Sequence, residues 1–190
     1  MSAVAELLSV EFADHSARAR CGCKGPGAGN WLAAQGCRVP VAPNSATLDA
    51  DGVWVARLAS SEFLIEAVEG GGERVAALRA GLAERARPRD VFPVPRQDQV
   101  MTLSGSGLPG LLRQICSVDF APLLEPAATA DGPVVLTSMI GVGIVAWPRR
   151  RVGGEPAVTL WCEPSYAHYF WNTLLEVGAD QGSITRGGDR

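Results

Sequence analysis

Lysine is almost missing from this 190-residue chain: Lys24 is the only one, and the other basic residues are arginines. That bias reads as base composition rather than chemistry. Acidic residues outnumber basic ones, giving a net charge of −3. A nucleic-acid-binding surface is therefore not expected, because neutralising phosphates takes clustered Lys and Arg. No run of about 18 apolar residues occurs, so no segment is expected to span a membrane. The first eight residues carry Glu6 where a secretory signal has a basic region, so no signal peptide is expected. Histidine is limited to His15 and His168, which leaves little material for a general base or a ligand set. The five cysteines (Cys21, Cys23, Cys37, Cys116 and Cys162) are odd in number and mostly sit inside apolar patterns. They are expected to be reduced and buried, in a cytoplasmic protein.

Glycine is abundant, at 22 residues, and it marks an internal repeat. Residues 20–36 read RCGCKGPGAGNWLAAQG, and residues 100–116 read VMTLSGSGLPGLLRQIC. Gly25 and Gly27 fall in register with Gly105 and Gly107, and Leu32 with Leu112. Ala28, Trp31 and Gln35 stand where Leu108, Leu111 and Ile115 stand. Both stretches predict a strand, a glycine turn and an amphipathic helix, and such a duplicated unit implies a fold of two similar halves.

The rest of the chain extends each half. Residues 1–17 hold a short amphipathic segment (Val4, Leu7, Leu8, Phe12), expected as a loosely attached arm. The first helix starts near Pro26, with Ala28, Trp31, Leu32 and Gln35 facing inward and Gly36 as its left-handed terminator. Residues 39–44 are proline-flanked and extended. Strands at 53–58 and 62–67 form a hairpin through the turn at 59–61. Val75, Leu78 and Leu82 recur at helical spacing and predict a helix over 73–86. The proline-rich residues 87–95 join the halves. In the second half a strand at 100–104 and a helix lead into a loop over 121–133. Strands follow at 134–139, 143–147 and 157–162, then a helix from an N-cap at Ser165 to about Val177. The expected organisation is an arm at 1–17, α+β halves at 18–95 and 96–180 in one compact two-lobed domain, and a flexible tail at 181–190. The expected fold class is α+β, with antiparallel sheets packed by helices.

Few residues carry chemistry. GSGLPG at 105–110 satisfies the dinucleotide pattern G-x-G-x-x-G, and Glu125 follows at a suitable distance for a ribose. However, the strand before it alternates in polarity instead of running apolar. Glu125 lies in a loop, and the sister turn at 25–27 lacks the motif, so a structural turn is the expectation. Cys21 and Cys23 share one strand face, without a second ligand pair at zinc spacing. The helix after Ser165 is apolar on two faces, one with Tyr166, Tyr169, Phe170, Leu174 and Val177, the other with Ala167, His168, Trp171 and Leu175. A stripe so wide fits a partner surface, and Tyr and Trp favour interfaces. His168, Tyr169, Trp171 and Leu175 are the candidate interface residues. Asp51, in the LDADG turn at 48–52, is the one weak catalytic candidate. The RRR run at 149–151 fits a solvated hairpin tip.

Taken together, KGPGAGNWL (24–32), VPVAPN (39–44), ARLASSEFLIE (56–66), CSVDF (116–120), LTSMIGV (136–142) and LWCEPS (160–165), in that order and spacing, resemble the gamma subunit of heterotetrameric sarcosine oxidase. That family is related in fold to the folate-dependent aminomethyltransferases of glycine cleavage. The resemblance implies an aminomethyltransferase-like fold without the C-terminal barrel, and a non-catalytic accessory subunit. Larger flavoprotein partners are then expected to carry FAD, FMN, NAD and tetrahydrofolate, while this chain binds no cofactor or metal. Such an assembly demethylates sarcosine oxidatively to glycine, yielding peroxide and, with tetrahydrofolate, methylenetetrahydrofolate. Aminomethyltransferases place a doubly acidic, glycine-rich segment before the matching strand; here Asp51 stands near it, followed by Gly52. The alternative is a stand-alone folate-binding, aminomethyltransferase-like protein of one-carbon metabolism using Asp51. A dinucleotide-binding regulator is a third, weaker reading.

Overall fold

The computed structural model describes residues 9–68, 70–125, 131–151, 153–179 and 183–187, the last five as backbone only. The chain divides into two compact units, one of residues 17–97 with 127–134, the other of residues 1–16, 98–126 and 135–190.

The first unit is built on a six-stranded sheet. Its strands are β2 (Arg20–Lys24), β3 (Ser45–Leu48), β4 (Val53–Ala59), β5 (Glu62–Ala67), β6 (Phe92–Val94) and β8 (Gly132–Pro133), ordered β6-β2-β5-β4-β3-β8, with every pair antiparallel. Two helices, α1 (Ala28–Ala34) and α2 (Gly72–Ala83), complete it. Alternate strand positions aim Cys21, Cys23, Val53, Val55, Phe63 and Ile65 to one face. There they meet Trp31 and Leu32 of α1 and Val75, Leu78 and Leu82 of α2 in a continuous core. The other face is buried too. Arg20 and Glu66 stand directly opposite each other on β2 and β5, joined by a 3.1 Å ion pair. A charge taken out of water is tolerable only with such a partner.

The second unit holds another six-stranded sheet. Its strands are β1 (Ser9–Asp14), β7 (Gln99–Ser104), β9 (Val135–Met139), β10 (Val142–Arg150), β11 (Pro156–Cys162) and β12 (Ser183–Gly187), ordered β12-β1-β7-β11-β10-β9. Pairing is antiparallel except between β1 and β12. Helices α3 (Leu108–Ile115) and α4 (Ala167–Ala179) supply Leu108, Leu111, Leu112, Ile115, Phe170 and Leu174 to a core with Met101, Leu103, Ile144, Val158 and Leu160.

The repeat extends to the order of pairing. In each sheet the strand before the glycine turn (β2, β7) sits beside the last strand of a meander (β5, β11), followed outward by its earlier strands. The strands flanking β2 and β7 are exchanged. β1 precedes the first repeat in sequence but pairs with β7 of the second, and β6 precedes the second repeat but pairs with β2 of the first.

Several sequence expectations are corrected. The arm over 1–17 contains a sheet strand, because Val10 and Phe12 alternate inward and are buried. The tail over 181–190 likewise contributes β12, whose backbone runs parallel to β1. The connector over 87–95 includes β6, and the loop over 121–133 includes β8 and a 3-10 turn at Ala121–Leu124. The helix expected over 73–86 stops at Ala83, where Glu84 turns extended and the Arg87 guanidinium donates to the Glu84 carbonyl. Gln35 is exposed, since α1 ends one residue earlier. Ser165 does not cap α4; it lies in a 3-10 turn at Pro164–Tyr166, and its hydroxyl bonds Glu163.

Candidate partner interface and the closed glycine turns

The two glycine turns superimpose bond for bond. Gly25 and Gly105 adopt φ of +119° and +122°, a region that disfavours any side chain. The Gly25 amide donates to the Ser61 carbonyl at 2.9 Å, and the Gly105 amide to the Pro156 carbonyl at 3.2 Å. The Gly27 amide donates to the Asp90 carbonyl at 3.3 Å, and the Gly107 amide to the Ser9 carbonyl at 3.0 Å. A Cβ at Gly25 would stand 2.2 Å from the Asp90 oxygen, and one at Gly105 would stand 2.3 Å from the Ser9 oxygen. A phosphate cradle needs free amides aimed outward. Here the chain's own carbonyls, of Ser61 and Asp90 in one turn and of Pro156 and Ser9 in the other, take them.

The cysteines are equally committed to structure. All five are free and buried. Burial pushes the Cys21 and Cys23 thiols up to about 12 and the Cys162 thiol to about 11, and it raises Cys37 as well. A free thiol attacks as its thiolate, and Cys21, Cys23 and Cys162 stay protonated at neutral pH. Among the described residues no three His, Cys, Asp or Glu side chains assemble as a metal site.

Asp51 is exposed at the turn before β4. Its neighbour Asp49 organises that turn, accepting from the Asp51 and Val53 amides at 3.0 and 2.8 Å while Gly52 takes φ +74°. Asp51 itself contributes its amide to this pattern, and its carboxylate points to no partner among the described residues.

The four interface candidates on α4 divide into two pairs. Phe170, Leu174 and Gly178 form the buried stripe. Trp171 and Leu175 flank it, half-buried against the core, with Trp171 edge-on to Phe12 at 6.1 Å between centroids. His168 and Tyr169 are exposed, so the helix presents a narrower outward face than its composition implies. His168 Nε2 pairs with Asn172 Nδ2 at 3.0 Å, one turn on. The Tyr169 hydroxyl donates to the Ile140 carbonyl at 3.0 Å, at a turn where Ile140 holds φ +44°. Tyr166 stands just ahead of the helix. Tyr166 and Tyr169 are 51% and 52% exposed, so both of the chain's tyrosines are at the surface of this one segment. Tyr166 belongs with Tyr169 rather than with Phe170; helical spacing misses this because a 3-10 turn precedes α4.

Two units of antiparallel sheet and paired helices, built from one repeated strand–turn–helix motif, define an aminomethyltransferase-like fold. Among solved structures, the heterotetrameric sarcosine oxidase from Corynebacterium sp. U-96, in complex with pyrrole 2-carboxylate, matches with a TM-score of 0.69 at 21% identity, over 92% of this chain and 86% of that one. Glycine cleavage system aminomethyltransferase T from Bartonella henselae matches with a TM-score of 0.64 at 16% identity, over 93% of this chain but 47% of that one. This chain thus spans about half the length of the aminomethyltransferase. No family model matches the sequence, and neither does any curated protein.

Proposed function

We propose that this chain is a non-catalytic subunit, of the gamma kind, in a sarcosine-oxidase-type complex. The observation that carries the reading is the extent of the two structural matches. Against a chain of a heterotetrameric sarcosine oxidase the correspondence runs almost end to end on both sides, whereas half of the aminomethyltransferase has no counterpart here. The glycine turns sealed by backbone and the protonated thiols support a scaffold. The exposed pair of tyrosines supplies a surface on which larger flavoprotein subunits can seat.

In such an assembly the partners do the chemistry. Sarcosine gives up two electrons, which pass through bound flavin to dioxygen and leave as hydrogen peroxide. Its methyl carbon goes to tetrahydrofolate as methylenetetrahydrofolate, and glycine remains. FAD, FMN, NAD and tetrahydrofolate are assigned to those partners, and this chain's part is to complete and hold the complex.

Affinity purification of the tagged chain from its native host tests this. Large flavin-containing subunits are expected to co-elute in fixed stoichiometry, with sarcosine-dependent peroxide production. A chain that elutes alone, and that binds tetrahydrofolate saturably in a manner lost on Asp51→Asn, would instead establish the stand-alone folate protein.

A further inference from the structure

Charge is unevenly spread along the first unit. In α2 and its exit, residues 73–90, five arginines stand against three acids, a net charge of +2 in a chain whose total is −3, so all other residues together carry −5. Two of the five are used internally. Arg74 donates to the Gln35 carbonyl at 2.9 Å, and Arg87 donates to the carbonyls of Val91 at 3.1 Å and Glu84 at 2.9 Å. The other three, Arg79, Arg85 and Arg89, are exposed, and none makes an ion pair or a side-chain hydrogen bond among the described residues. Arg79 also borders a pocket of about 390 Å³ whose lining includes Arg20 and Arg96, but those two are held by Glu66 and Glu62. Arginines elsewhere are matched in the same way: Arg38 by Asp131, Arg150 by Glu125 and Arg151 by Glu11. Only Arg113 on α3 is likewise exposed and unpaired among the described arginines.

Local structure holds these side chains outward. Past Ala83 the backbone makes two successive turns, with the Arg87 amide on the Glu84 carbonyl at 3.5 Å and the Val91 amide on the Pro88 carbonyl at 3.1 Å. The Arg87 guanidinium reaches a carbonyl on each side of itself in sequence, so the exit from α2 is fixed while Arg85 and Arg89 stay in solvent. Asp90 does not pair with them. Its carboxylate lies at the start of α1, 2.5 Å from where a Cβ on Gly27 would stand. Two residues further on, Phe92 is 49% exposed. Arginine and phenylalanine are both enriched in protein interfaces.

We infer that α2 and its exit dock an acidic face of a partner protein, with Arg79, Arg85 and Arg89 against its carboxylates and Phe92 among the contacts. Guanidinium groups pair with carboxylates through charge-assisted, often bidentate hydrogen bonds. The charge balance also selects the class of partner. A nucleic acid is a long polyanion that would run past these three arginines and meet the −5 of the remaining residues. An acidic patch on a protein can be confined to the arginines alone. The inference does not depend on which protein supplies that face, nor on whether the chain joins a larger enzyme.

Fluorescence anisotropy of a labelled deca-glutamate peptide with the full chain tests it, with deca-glutamine and a single-stranded oligonucleotide of equal charge alongside. A buffer of about 0.1 M salt screens charges more than about 10 Å away, so the readout is local. Deca-glutamate is expected to bind saturably and deca-glutamine not to bind. Joint replacement by Arg85→Gln and Arg89→Gln should weaken deca-glutamate about tenfold, as loss of two exposed ion pairs does, and the paired Arg85→Lys and Arg89→Lys changes should keep most of the affinity. Arg113→Gln, which removes the other unpaired arginine, should change it less than about twofold. All of these side chains are exposed, so Tm is expected to stay at the wild-type value in every variant. Equal binding of the two peptides, an equal loss on Arg113→Gln, tighter binding of the oligonucleotide than of deca-glutamate, or no saturation would each overturn the assignment.

Discussion

Gly25 and Gly105 show how a single residue type can serve fold rather than ligand. Each sits at a φ that only glycine adopts without strain, and each lies against a carbonyl that fills the space a side chain would need. Gly105→Ala is expected to lower stability by about 1–3 kcal/mol from backbone strain alone, with more from the clash at Ser9. Urea denaturation gives the value, and a variant of unchanged midpoint would show the turn to be permissive. The motif was legible as a glycine turn opening a helix, and its rejection as a nucleotide site followed from its sister turn. The occupants of its amides were not legible, because Ser9 and Asp90 lie far from those turns in sequence. Arg79 and Arg96 are a harder case: seventeen residues apart with no common pattern, they border one pocket only because α2 packs on β2, the strand that β6 flanks.

At the scale of elements, the strands and helices with clean periodicity emerge where alternation and the 3.6-residue spacing place them. Those that do not, β1, β3, β6, β8 and β12, are short, proline-bearing or terminal, and tertiary pairing creates them. The same distinction divides α4. Its buried stripe of Phe170, Leu174 and Gly178 is narrower than the apolar content of the helix, so the Tyr169 ring stays at the surface while its hydroxyl holds the Ile140 carbonyl. If the proposed flavoprotein subunits seat here, Tyr166→Ala and Tyr169→Ala are each expected to weaken their association by about 2 kcal/mol, as interface aromatics do; Tm stays close to wild type for Tyr166→Ala, and Tyr169→Phe isolates the loss of the Ile140 hydrogen bond. Trp171→Ala should instead destabilise the chain itself, because Trp171 packs on Phe12. Surface plasmon resonance against the purified partners, with thermal melts alongside, separates the two effects; unchanged binding by both tyrosine variants would move the interface off this helix.

For the whole molecule, the exchange of β1 and β6 between sheets makes the sequence boundary between repeats a poor boundary for folding. Cutting between Gln97 and Asp98 leaves the C-terminal piece with β7 and β12 but without β1, the strand that lies between them. That piece is expected to lack cooperative unfolding and amide dispersion in solution, and to recover both when a peptide of residues 1–16 is added. A well-dispersed spectrum from residues 98–190 alone would show that β1 is dispensable, despite the exposed edge its loss creates.

The sequence alone determined that this is an α+β chain of two related halves, each opened by a strand, a glycine turn and a helix. Local sterics and hydrophobic periodicity act within a window of about twenty residues, which is enough to specify such units. It also carried, through ordered motifs, the likeness to sarcosine oxidase that the fold comparison then met at 21% identity. Only the tertiary structure decided which flanking strand joins which sheet, which carbonyls take the amides of the turns, and which face of α4 remains exposed. It alone gathered three arginines around one pocket. Those outcomes depend on pairings between residues tens of positions apart, where each side chain's surroundings come from distant segments of the chain.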